Sequence, residues 1–263
     1  MISVLVPSYK QGRFLPTALR SLLAQSLGQW EAIVVVSSEE DARAASGFTH
    51  DARIRILERA PHGVADARNA AATIARFRWL LPLDADDAFE PNALAELWAV
   101  APGGRYAVAY GDVALRGAKR GEWRPVFDAA RMREANCLPY ASLHTREVWN
   151  ACGGWDVAMV GYEDWAYWVT ATRCPLEVAH VPKFMLLHHR WQGSRSVSLD
   201  PWDATWRAMI HERHPDLYPH ADREADRQTI ADARGLLLSL KKQLEFFPDN
   251  AALRDWVARI ERG

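Results

Sequence analysis

The chain has 263 residues, 49% of them hydrophobic and 25% charged, with a formal net charge of -1. This is the composition of a globular protein with ample material for a core, and the near-zero charge excludes a global basic field for nucleic acid. Three cysteines, Cys137, Cys152 and Cys174, are odd in number and lack CxxC spacing. That excludes a disulfide framework and a zinc site, and it fits a reducing, cytoplasmic setting.

In chain order, Ile2 to Val6 is a short β-branched apolar run bounded by Pro7-Ser8, the pattern of a buried parallel strand. The start at Met1 therefore reads as a strand and not as a signal peptide. Phe14, Ala18, Leu22 and Leu23 recur at helical spacing, with Pro16 near the start where its missing N–H costs nothing. Ala32 to Val36 and Ile54 to Leu57 are the next two strands, separated by Glu39 to Ala45 of helical composition. Gly63 opens a turn into an alanine-rich helix, Val64 to Arg76. A strand from Arg78 then ends in Asp84, Asp86 and Asp87. A helix over Pro91 to Val100, a strand over Tyr106 to Leu115 and an exposed turn over Arg116 to Gly121 follow.

Strands alternating with helices predict an α/β fold whose mainly parallel sheet is covered on both faces. Ligands of such sheets sit beyond the carboxyl ends of the strands. Pro7-Ser8-Tyr9, Ser37-Ser38 and Asp84-Ala85-Asp86 all lie at those ends.

The second part is less regular. Thr145 to Cys152 is a short helix closed by Gly153-Gly154, and Tyr162 to Ala171 a helix with Glu163-Asp164 in its first turn, where acids suit the dipole. Val178 to Leu187 reads as a late strand, followed by a polar loop from His188 to Ser198 that holds Arg190, Arg195 and Ser196. From Trp202 the pattern is helical. Stripes of Ile230, Leu237, Leu240 and Leu244, and of Leu253, Trp256, Val257 and Ile260, suit a helical hairpin docked on the main domain or a homodimer surface. No window reaches the 18 or so apolar residues of a membrane span.

The carboxylate cluster carries the clearest chemistry. If the strand continues through it, Asp84 and Asp86 share one face about 7 Å apart. Their repulsion is then about 2 kcal/mol at an effective dielectric near 20, and a bound divalent cation reverses it. The alternative is a strand end leading into a helix.

Five segments together resemble family-2 glycosyltransferases: Val6-Pro7-Ser8-Tyr9-Lys10, Gly63-Val64-Ala65-Asp66-Ala67-Arg68-Asn69, Leu83-Asp84-Ala85-Asp86-Asp87, Gly153-Gly154-Trp155-Asp156 and Gly161-Tyr162-Glu163-Asp164. The resemblance covers residues 1–200. It implies the GT-A (nucleotide-diphospho-sugar transferase) αβα sandwich, with a nucleotide-sugar-binding half over 1–115, an acceptor and catalytic half over 116–200, and a C-terminal helical extension over 201–263.

The same resemblance implies roles. Pro7, Ser8 and Tyr9 line the nucleoside, Asp84 contacts it with Ala85 alongside, and Arg68 meets phosphate unless it forms a surface salt bridge. Asp86 ligates Mn2+ or Mg2+, with His188 or His189 as a further ligand unless these are structural. Asp164 is the expected general base of an inverting transfer, with Glu163 contacting the acceptor or orienting the base; the bland alternative is two acids in a helix start. Where the family carries an acid after the second strand, this chain has Ser37-Ser38-Glu39, so Ser37 or Glu39 takes that place. Among Trp155, Trp165, Trp168, Trp191 and Trp202, one or two are expected to touch sugar, the helix-spaced Trp165 and Trp168 being better suited to the core.

The implied partners are a UDP-sugar donor and a saccharide or glycan-precursor acceptor, with no nucleic acid and no transmembrane segment but room for peripheral attachment to the inner membrane face. The rival readings are a non-catalytic binding protein of the same fold and a sugar-phosphate nucleotidyltransferase, whose glycine-rich opening loop this chain lacks.

Overall fold

The computed structural model describes residues 1–118, 120–159, 161–191 and 203–233, and beyond them Leu237, Leu240, Lys241, Leu244, Arg254, Val257, Ala258, Ile260 and Glu261. The N-terminal apolar run forms β1 (Ile2–Ser8) and is buried along its whole length. Helix α1 (Leu15–Leu23) follows, with Pro16 in its first turn. Next come β2 (Trp30–Val36), α2 (Glu39–Ser46), β3 (Ile54–Glu58), α3 (Val64–Ile74) and β4 (Trp79–Pro82). These four strands run parallel in the order β3-β2-β1-β4, with Val6 opposite Val34 and Ile2 opposite Trp79.

Three short strands escaped the sequence reading. Two-residue β5 (Ala88–Phe89) precedes α4 (Ala93–Val100), and β7 (Gly121–Trp123) folds back on β6 (Ala107–Gly117) across the exposed turn. Strand β8 (Leu143–Thr145) runs antiparallel between β4 and β6. Elements of two or three residues are too short to show a period, so tertiary pairing alone defines them. Helices α5 (Arg146–Cys152) and α6 (Glu163–Ala171) then lead to β9 (Glu177–Arg190).

The last strand overturns one expectation. His188, His189 and Arg190 do not open a loop: they pair with Leu115, Arg116 and Gly117 of β6, so the strand runs three residues further. A register shift near Asp112 lets β9 continue past its Pro182 along the whole of β6.

Side chains alternate across the sheet. Ile2, Val4 and Val6 join one core with α1 and α4, whereas Leu5 and Ile33 join the other with α3 and α6. Helices α7 (Asp203–Arg213) and α8 (Arg223–Ala231) belong to this second core. Trp206, Met209, Ile230, Leu240, Val257 and Ile260 are buried in it together with Trp165 and Trp168. The described part of the C-terminal stripes is thus covered by the chain itself. Arg195, Ser196, Trp202, Leu253 and Trp256 lie outside the described residues.

Candidate active site

The carboxyl ends of β1, β2 and β4 gather around one opening. At β1 the chain turns through Pro7-Ser8-Tyr9-Lys10, with Lys10 at φ 52. A buried carboxylate holds this turn: Asp41 accepts from Ser8 Oγ at 2.8 Å, Lys10 N at 2.8 Å and Gln11 N at 2.9 Å. Ser38 caps α2 by accepting from Asp41 N and donates its hydroxyl to Asp41 Oδ2. Asp41 is fully buried, whereas Glu39 points into solvent beside Arg43. The acid under the turn after β1 is therefore Asp41, and Glu39 is not in contact with it. Sequence reading passed over it, although Ser38-Glu39-Glu40-Asp41 carries the S-x-x-D spacing of a helix start. Ser37 meets the turn through its backbone, donating to Ser8 O at 3.1 Å.

Beyond β4 the three acids lie on a turn, not on a strand. Asp87 N donates to Asp84 O at 3.1 Å, which closes residues 84–87 and cancels the shared-face geometry expected of an extended chain. The turn sorts the carboxylates. Asp87 is buried and accepts from the Tyr140 hydroxyl, from His188 Nδ1 at 2.8 Å and from His189 N at 2.7 Å. Tyr140 also accepts Asp84 N at 3.2 Å, so one phenol braces both ends of the turn. Ala85 is buried beneath it.

Asp86 accepts Trp191 Nε1 at 2.9 Å. Burial, then the charges of Asp87 and Asp84, push its carboxyl up to about 7. A group so destabilised as an anion is suited to a cation. Among the described residues no three His, Cys, Asp or Glu side chains form a ready metal cage. The donor set instead fits a hard cation that takes one or two protein ligands and completes its shell with phosphate and water. His188 suits the same end: its Nδ1 is occupied by Asp87, which leaves Nε2 for a ligand. The His189 ring stands edge-on to Phe14 at 5.6 Å, and Phe14 in turn packs on Trp191.

Arg68 joins the turn after β4 to α6. It lies in α3 with 1% of its side chain exposed, donating Nη2 to Asp84 at 2.7 Å and Nη1 to Glu163 at 3.2 Å. Burial opposes its charge, but Asp84 and Glu163 hold it protonated. Its neighbour Asn69 does the corresponding work for the Gly153-Gly154-Trp155 loop: Oδ1 accepts Trp155 N at 2.9 Å and Nδ2 donates to Trp155 O at 2.8 Å. Gly154 sits at φ +85, where an added Cβ would lie 2.6 Å from Asn69 Oδ1.

Asp164 stands beside Glu163 in the first turn of α6 and accepts Asn136 Nδ2 at 3.1 Å. Burial and then Glu163 push its carboxyl up to about 6, with Arg68 pulling the other way. A carboxylate near neutrality at an opening can take a proton from a hydroxyl. Trp155, Trp165 and Trp168 are all buried, so of the five tryptophans only Trp191 is described facing this opening.

The fold is that of the nucleotide-diphospho-sugar transferases, as the solved structures below show. Residues 3–154 match the model of glycosyl transferase family 2, and the chain belongs to that family. It is 28% identical over 192 residues to a PGL/p-HBAD biosynthesis glycosyltransferase of Mycobacterium tuberculosis, covering 70% of this chain and 73% of that one. Over 96 residues it is 31% identical to an Escherichia coli UDP-Glc:alpha-D-GlcNAc-diphosphoundecaprenol beta-1,3-glucosyltransferase, covering 36% and 38% of the two chains. The solved structure of S. aureus TarS 1-349 with UDP-GlcNAc shares the fold at TM-score 0.66 and 16% identity, over 98% of this chain and 81% of that one. The mannosyltransferase PcManGT of Pyrobaculum calidifontis, solved with GDP-Man and Mn2+, does so at 0.55 and 15%, over 99% and 84%. The protein is a glycosyltransferase.

Proposed function

We infer that this glycosyltransferase moves a sugar from a UDP-sugar to a hydroxyl of a glycan precursor, with inversion at the anomeric carbon. The observation that carries the reading is the Asp84–Arg68–Glu163 bridge, which sets the base candidate Asp164 beside the turn that would hold the donor. The acceptor oxygen attacks the anomeric carbon from the side opposite the diphosphate while its proton passes to Asp164. The bond from that carbon to the diphosphate oxygen breaks, and its electron pair leaves with the nucleoside diphosphate.

Pro7, Ser8 and Tyr9 line the nucleoside, held in shape by Asp41, with Ser37 adjacent. Asp84, kept in place by Arg68, contacts the ribose side. Asp86 and His188 Nε2 would hold Mn2+ or Mg2+, which when bound supplies Lewis-acid stabilisation of the leaving diphosphate. Glu163 orients the base through Arg68. Support for a UDP-sugar comes from the TarS complex and from the E. coli relative's name. That name, which specifies a GlcNAc-diphosphoundecaprenol acceptor, also favours a glycan precursor as acceptor. Among the described residues no helix is long and apolar enough to cross a membrane. A cytoplasmic enzyme, with any membrane attachment peripheral, is our reading from its nucleotide-sugar donor. Residues 1–200 form the transfer domain in this reading and 201–263 its extension.

The test is binding and turnover on one sample. Calorimetry with UDP should show manganese-dependent affinity, and UDP-glucose or UDP-GlcNAc should release UDP. Asp164→Asn should keep the first and lose about a hundredfold or more of the second. Turnover near wild type in that variant removes Asp164 as the base.

A further inference from the structure

The segment from the 3-10 turn Arg131–Arg133 to Leu138 has little regular structure, yet side chains from elsewhere hold its backbone. Trp165 Nε1 of α6 donates to Met132 O at 2.6 Å, and Tyr218 OH donates to Arg133 O at 2.9 Å. Arg207 of α7 donates to Glu134 O. Two residues further on, Asn136 Nδ2 donates to Asp164 Oδ2 at 3.1 Å. The amide cannot turn over freely, because its Oδ1 accepts Leu138 N at 3.2 Å.

Helix α7 also grips the other side of Asp164. Asp203 accepts Tyr162 OH at 3.1 Å and Arg207 Nε at 2.6 Å. Tyr162 directly precedes Glu163-Asp164 and sits at φ 54, a left-handed conformation that an aromatic residue keeps only when its surroundings hold it. Arg207 also lies over the Trp165 ring, 4.6 Å from its centroid. One helix therefore contacts both approaches to the same carboxylate.

We propose that Asn136 is the positioning residue of Asp164, and that α7 completes the acceptor side by holding Asn136 and Tyr162 in place. The inference rests on the reading of Asp164 as base. With Nδ2–H on Oδ2, and the backbone N–H groups of Trp165 and of Asp164 itself also on the carboxylate, the orientation of the Asp164 carboxyl is fixed from both α6 and the Asn136 segment. Glu163 on α6 and Arg68 on α3 are the charged groups facing Asp164, and the neutral amide orients the carboxylate without adding a third charge. An amide donor favours the ionised form, so its loss raises the pH at which Asp164 becomes a base. Helix α7 thereby acquires a role in turnover through the groups that flank Asp164.

The test uses the full chain with Asn136→Ala, Asn136→Asp, Arg207→Ala and Asp164→Asn. UDP affinity in manganese is measured by calorimetry, and UDP release from UDP-glucose and UDP-GlcNAc is followed against pH. Asn136→Ala should bind UDP within about twofold of wild type. Its kcat should fall about tenfold or more, since small misplacements of a reacting group are costly. Its acid limb should move up by about half a pH unit, and that of Asn136→Asp further. Arg207→Ala should shift rate and limb in the same direction. Wild-type kcat with an unmoved limb in Asn136→Ala overturns the proposal, as does a parallel loss of UDP affinity and melting temperature, which marks a purely structural role. If Asp164→Asn loses turnover while Asn136→Ala does not, only this inference falls. If Asp164→Asn itself turns over normally, the base assignment falls with it.

Discussion

Arg68 donates to Asp84 at 2.7 Å across 16 residues of sequence, and this contact ties the end of β4 to α3, from which the same guanidinium also reaches Glu163 of α6. The guanidinium has 1% exposure, and among the described residues its Nε has no hydrogen-bond partner. Its Nη1 donates to Glu163 of α6 and its Nη2 to Asp84 beyond β4. Arg68 is thus the counter-charge that lets several acids share one opening.

Removing that counter-charge should be costly. Arg68→Ala leaves Asp84 and Glu163 facing each other without compensation, and breaking a buried pair by deleting one partner typically costs about 3–5 kcal/mol. Urea unfolding of wild type and variant measures this directly. A loss under about 1 kcal/mol would show that water replaces the guanidinium cheaply.

Asp86 should separate metal binding from folding. Its partner Trp191 directly follows the last strand, and the contact is made by that residue's side chain. Asp86→Ala is expected to melt close to wild type and to bind UDP equally with and without manganese. Calorimetry at matched ionic strength is the measurement, and retained metal dependence would take Asp86 out of the metal site.

Asp41 should couple stability to nucleotide affinity. Its carboxylate accepts from Ser8, Lys10 and Gln11 while fully buried, and Asp41→Asn places donors against those donors. We expect a loss of about 2 kcal/mol or more in urea unfolding, from hydrogen bonds to a charged acceptor. UDP affinity should fall with it, because the turn after β1 is released. Unchanged affinity would place the nucleoside elsewhere.

The pH dependence of transfer should carry the mark of Asp164. A general base acts when deprotonated, and burial with Glu163 raises this carboxyl to about 6. The rate at saturating substrate should therefore rise with pH through about 6 and level off above it. In Glu163→Gln one neighbouring negative charge is gone, so the limb should move to lower pH. A limb left at the ordinary carboxylate range in wild type would contradict the burial seen around α6.

The sequence by itself determined the parallel half of the sheet, because Ile2–Val6 and Ala32–Val36 are unbroken apolar runs that only a strand buried on both faces can use. It also placed Asp84, Asp86, Glu163 and Asp164 at the ends of elements, since turns and glycines punctuate the chain there. Sequence reading also divides these acids by role, with Asp87 expected behind the metal ligand or as a helix cap; only the tertiary structure decided which partners hold each of them. Asp87 became the brace for β9, Asp41 the acid under the first turn, and Asn136 the partner of Asp164, each through a contact between residues distant in sequence. Periodicity records which face of an element is buried, but a hydrogen bond between a loop and a helix leaves no period. The strand ending at Arg190 and the turn at Asp84–Asp87 differ from their sequence readings for the same reason: backbone pairing with β6 and within the turn, not local composition, set where each element stops.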